Sequence, residues 1–105
     1  MGLIVVARDS GVRYTLGLIL KKLGYENILV LQDMTSVYLD YSDFDGVVIF
    51  HAHSITQELC EYITGILKNT SVIFVGAVYG STTCNTVSMP FSIIDISEAL
   101  SRVSE

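Results

Sequence analysis

Four short apolar runs recur along this chain, and their repetition limits the fold more than any other feature. They are Leu3 to Ala7, Asn27 to Leu31, Gly46 to Phe50 and Val72 to Val75, rich in Val and Ile. None alternates apolar with polar residues, so each strand must be covered on both faces. Buried parallel strands have this pattern. Between the first two runs, Val12, Leu16, Ile19, Leu20 and Leu23 recur at helical spacing and form one wide apolar face. Asp9 and Ser10 stand where a helix takes its N-cap, with a turn at Gly11. Lys21 and Lys22 fall in the last turn, at the negative end of the dipole, and Gly24 suits the residue just past the helix. A strand, a helix and a second parallel strand are therefore expected in the first third.

The same reading continues with less force. Thr35 to Leu39 gives a short second helix. Gly46 to Phe50, the most hydrophobic run, is the third strand. Ser54 is placed as the cap of a third helix with Ile55, Leu59, Tyr62, Ile63 and Ile66 inward, Glu58 on the wet side and Asn69 at its end. Val72 to Val75 is the fourth strand and runs into Gly76. Beyond Gly80 the segment from Ser81 to Val87 is polar and β-branched, with poor helix propensity, so a fifth strand is only an outline there. Ser97 is placed as the cap of a last short helix through Leu100 and Val103. Strands alternating with helices imply right-handed crossovers over a parallel sheet. The expected fold is α/β, three-layer and flavodoxin-like, in a single domain over residues 1–105.

Composition excludes several classes. The chain has 105 residues, half of them hydrophobic and only 16% charged, which is enough for one real core and far from a disordered composition. No apolar run approaches the ~18–20 residues of a membrane span. The first residues enter a strand without a basic leader, and Val6 stands where a myristoylation signal wants Ser or Thr, so a cytoplasmic location is expected. The formal net charge is −5, and the six Lys and Arg residues are scattered except for Lys21-Lys22. No basic stripe offers counterion release, so nucleic acid is not an expected partner. Cys60 and Cys84 form no metal or redox spacing and read as reduced thiols. No cofactor is expected.

In an open parallel sheet, ligands bind outside the carboxyl ends of the strands where strand order reverses. That edge would carry Arg8, Asp9 and Ser10 after the first strand, and Phe50, His51, Ala52 and His53 after the third. Gly76, Ala77 and Tyr79 follow the fourth. In this setting the segment from Val5 to Ser10 resembles the acid-terminated first strand of bacterial receiver (CheY-like) domains of two-component response regulators. The run from Gly11 to Tyr25, ending Leu-Gly-Tyr, is similar to their first helix. Phe44 to Ile49 resembles the approach to the phosphoacceptor, Val75-Gly76-Ala77 the end of the fourth strand, and Met89-Pro90-Phe91 the Lys-Pro-Phe signature.

Each functional position departs from that pattern. One acid of the Mg²⁺ pair is Arg8, the acceptor aspartate is Phe50, the switch hydroxyl is Gly76 and the signature lysine is Met89. Asp9 alone remains. The resemblance thus implies a degenerate phosphorylation pocket of Arg8, Asp9, Phe50, Gly76 and Met89, with shortened second and fourth helices. It implies a pseudo-receiver that is not an enzyme and works by protein–protein interaction and signal transduction in the cytoplasm. Its partner would be another protein or a second copy. It would be a free-standing adaptor or the N-terminal regulatory domain of a motility, pilus or transcription protein. Tyr14 and Leu18, off the core stripe of the first helix, and Thr83, in the irregular segment, are the expected interaction surface. The rival reading is a small metal-binding protein or enzyme using Asp9, His51 and His53. Residues two apart on a strand share a face, so the two imidazoles can approach one ion. Packed or solvated loop histidines are the plainer reading, since further ligands are missing. Arg8 is expected to pair with Asp9 and fill the vacant cation position.

Overall fold

The structure is a computed structural model that describes residues 2–40 and 43–103. Its elements are β1 (Gly2–Val6), α1 (Ser10–Lys22), β2 (Ile28–Leu31), α2 (Met34–Asp40), β3 (Gly46–Ile55), α3 (Gln57–Ile66), β4 (Ser71–Val78), β5 (Asn85–Ser88) and α4 (Ile93–Val103). The five strands form one parallel sheet in the order β2-β1-β3-β4-β5. The expected three-layer, flavodoxin-like architecture is the one observed.

Strand parity divides the core. Leu3 and Val5 of β1, Val47 and Ile49 of β3, and Ile73 and Val75 of β4 pack under α1 and α4 with Leu16, Leu20, Ile96 and Leu100. Ile4 and Val6, Val48, and Val72 and Phe74 pack on the other face under α2 and α3, with Met34, Val37, Cys60, Ile63 and Leu67. Successive side chains on a strand point to opposite faces, which is why uninterrupted apolar runs were needed.

The helix ends follow local chemistry. Asp9 caps α1 by accepting from the Val12 N–H at 3.0 Å. Gly24, at φ +96°, closes the far end, with its N–H on the Lys21 carbonyl and the Tyr25 N–H on that of Leu20. For α3 the cap is Thr56, whose hydroxyl accepts from Leu59 N–H at 3.2 Å, and not Ser54. The reason is that β3 runs on to Ile55, so Ser54 still belongs to the sheet. The inner face shifts accordingly. Cys60, Ile63 and Leu67 are buried, whereas Tyr62 is 59% exposed and meets Tyr38 edge-on. The last helix begins at Ile93, four residues before the expected Ser97. Ser92 and Asp95 cap it reciprocally, the Ser92 N–H on Asp95 Oδ2 at 2.8 Å and the Asp95 N–H on Ser92 Oγ at 3.3 Å.

Two irregularities shape the sheet. The β3–β4 register passes from His51↔Val75 to Ser54↔Ala77, so β3 carries one extra residue. That residue reverses the parity of β3: Val48, Phe50 and Ala52 share a face with Ile55. The second irregularity is the six-residue link 79–84 between parallel strands β4 and β5, which holds no helix. From Val78 back to the level of Ile73, where β5 begins, is about 16 Å at ~3.3 Å per residue, within reach of six extended residues. Hydrogen bonds hold this strap on α3: the Thr83 N–H donates to Gln57 Oε1 at 2.9 Å, and Gln57 Nε2 donates to Thr83 Oγ1 at 3.2 Å. Cys84 packs on the core beside it. The helix expected between the fourth and fifth strands is thus not merely shortened but replaced by this strap.

Candidate functional site

The order reversal between β1 and β3 opens a cleft of about 350 Å³ at the carboxyl ends of those strands. Arg8 and Asp9 line it from the β1–α1 turn, Asp33, Thr35 and Tyr38 from the start of α2, and Phe50, His51 and His53 from β3. Three of the five residues of the expected degenerate pocket therefore meet. Gly76 is buried within β4, and Met89, past the end of β5, is 43% exposed; neither lines the cleft.

Phe50 stands at the inner wall. It pairs in register with Val6 and Phe74, and its ring packs edge-on to that of Phe74 with centroids 6.1 Å apart. The ring is half-buried against the α2/α3 core, so apolar volume occupies the strand position where the resembled family carries a carboxylate.

Asp9 does not pair with Arg8, contrary to expectation. No ion pair joins them, and the Asp9 carboxylate turns back to cap α1 instead. The Val12 N–H, the largest influence, holds its pKa below the usual carboxylate value; burial opposes it, and the Gly11 N–H and then the two imidazoles assist it. A more local bond has won: a cap on the first turn is reached without extending a long, exposed guanidinium.

The cation engaged at this edge is Arg13. Its Nη1 donates to the carbonyls of Ala7 at 2.8 Å and Arg8 at 3.0 Å, fastening the β1–α1 turn. Sequence reasoning missed this role. The available signal was an arginine in the first turn of a helix that follows a strand end whose carbonyls have no strand partner.

His51 and His53 lie with ring centroids 5.6 Å apart at 71°. Burial first, and His53 second, hold His51 below the ordinary imidazole value, while Asp9 pulls it up. A neutral His51 imidazole suits hydrogen bonding or metal ligation. Among the described residues, however, no group of three or more His, Cys, Asp or Glu side chains is arranged to hold a metal ion.

The expected interaction residues separate. Thr83 lies on the strap over α3, while Tyr14 and Leu18 line a groove of about 390 Å³ between α1 and β2.

The fold and the cleft define an α/β flavodoxin-like domain with a cleft at the order reversal between β1 and β3. A solved structure of similar fold is a protein described as pilus assembly-related from Burkholderia pseudomallei K96243. It superposes with a TM-score of 0.75 at 10% identity, over 99% of this chain and 89% of that one. At such identity the likeness shows the fold alone. No family model matches the chain, and no curated protein matches it.

Proposed function

We propose that this chain is a receiver-like protein-interaction module whose state does not depend on aspartyl phosphorylation, and that it performs no catalysis of its own. The observation that carries this reading is Phe50. A benzyl group can neither attack phosphorus nor carry a phosphoryl group, and here it is packed on Phe74 at the β3 position that would present the acceptor. Arg8 in place of the second acid leaves Asp9 as the sole carboxylate of the expected Mg²⁺ pair. The strap that stands in place of a helix between β4 and β5 rebuilds a face of the domain from short polar chain, which supports recognition of a partner specific to this protein. The pilus-related description of the structural neighbour makes assembly of a surface appendage the pathway to examine first.

The test is incubation with acetyl phosphate and Mg²⁺, followed by intact mass and peptide mapping. No phosphoryl adduct is expected. An adduct localised to Asp9 or Asp45 would overturn the reading.

A further inference from the structure

We propose that the groove between α1 and β2 is a docking site for an acidic, amphipathic helix of a partner protein. This rests on the interaction-module reading and adds to it the place and the chemistry of the partner.

The first argument is an uncovered strip of sheet. Ile28 and Val30 of β2 are two apart, so both side chains share the face on which α1 packs. α1 covers Ile28, which joins its core cluster, but Val30 remains 44% exposed. Next to it on the outer flank of α1 are Tyr14, 69% exposed, and Leu18, 42% exposed. Gly17 lies between them, and a Cβ added there would touch nothing within 4 Å, so the floor is open. Among the described residues the layer above this face contains α4 and α1 alone, and β2 is the edge strand beside α1. A helix laid alongside α1 would continue that layer. What the groove presents is side chains on a sheet face rather than the backbone edge of β2, which suits a helix and not an added strand.

The second argument is charge. α1 contains no Asp or Glu and carries Arg13, Lys21 and Lys22, half of the six Lys and Arg residues in the chain. The other three, Arg8, Lys68 and Arg102, are left against all eleven Asp and Glu. Arg13 and Lys21 rim the groove itself. An occupant with an apolar stripe for Leu18 and Val30 and carboxylates on its flanks matches both features. A second copy joined two-fold through this groove would set cation against cation, which disfavours it.

The experiment is an amide chemical-shift titration of the isotopically labelled full chain with two synthetic helical peptides. Both carry Leu at helical a/d spacing; one has Glu on its flanks and the other Lys. The acidic peptide should shift Tyr14, Gly17, Leu18 and Val30, and should weaken as salt rises above about 0.15 M. Lys21→Glu should lower its affinity about tenfold while the spectrum stays dispersed, and Leu18→Ser should act in the same direction. Equal binding of the basic peptide, or no binding of the acidic one, would overturn the proposal. So would a concentration-dependent dimer abolished by Leu18→Ser, which would give the groove to a second copy. Shifts confined to α3 or α4 would remove the groove assignment but leave the module reading, which fails separately if acetyl phosphate labels the protein.

Discussion

Replacing Gly76 by alanine should be among the most damaging small substitutions in this protein. Gly76 lies on β4 opposite the extra residue of β3, where the bulged backbone presses closely. A Cβ at Gly76 would sit 1.9 Å from the Ala52 carbonyl oxygen, 3.1 Å from its carbon and 3.4 Å from Ile55 Cδ1. The obstacle is main chain, so no rotamer change relieves it. The backbone is also at φ +155°, a conformation that side-chain-bearing residues rarely adopt and that costs about 1–3 kcal/mol. Overpacking adds about 1–3 kcal/mol, because the bulge must move and the β3–β4 ladder move with it. The expected loss is about 2–6 kcal/mol, a large share of the ~5–15 kcal/mol typical of a domain. At ~4–6 °C per kcal/mol for this size, Tm should fall by about 8–36 °C. Thermal and urea unfolding followed by circular dichroism measure this, with Gly65→Ala on α3 as the control. Nothing lies within 4 Å of a Cβ there, and helix propensity predicts a gain of up to ~1 kcal/mol. A Gly76→Ala midpoint within ~0.5 kcal/mol of wild type would refute the close approach. The same reasoning predicts that Gly76→Thr, which would place a hydroxyl where the resembled receiver domains carry one, is at least as damaging.

Phe50→Asp should destabilise by about 2–4 kcal/mol, from lost packing on Phe74 and a second carboxylate near Asp9, without creating an acetyl-phosphate acceptor; an unchanged melting temperature would contradict the packed role of the ring. His51 has its folded pKa held below 6.5, so the unfolded chain takes up the proton first on acidification. Stability from this group is present above pH 6.5 and is lost as the pH falls through the folded value. Wild type should therefore lose melting temperature more steeply than His51→Gln between about pH 7 and about pH 5, and parallel curves would refute the linkage. Cys60 is pushed up to about 12 by burial and by Cys84 beside it, so under native conditions iodoacetamide should label the half-buried Cys84 well before Cys60. Mapping of early adducts to Cys60 would contradict its burial.

The degree to which this protein is legible in its sequence follows from the range of the interactions involved. The strands β1 to β4, the helix α1 with its Asp9 cap and Gly24 exit, and the covered parallel sheet are all set by local pattern. Runs of Val and Ile have one economical burial, and capping chemistry acts within one turn. The position of Arg8, Asp9 and Phe50 around one cleft was also legible, since strand ends in a parallel sheet converge at the order reversal.

Other features depend on residues far apart in sequence. The extra residue in β3 appears only when β4 is laid beside it, and it explains at once why Ser54 does not cap α3 and why position 76 is glycine. The strap from Tyr79 to Cys84 has no periodic pattern of its own; Gln57, 26 residues away, gives it a place. Arg8 looked paired with Asp9 because they adjoin, yet Asp9 is spent on Val12, and it is Arg13 that returns to the β1 carbonyls. Tyr14 and Leu18 stood out as surface residues from their helix phase alone. That they form one wall of a groove with Val30 was decided by the sheet order, because β2 lies at the edge and α1 does not reach across it.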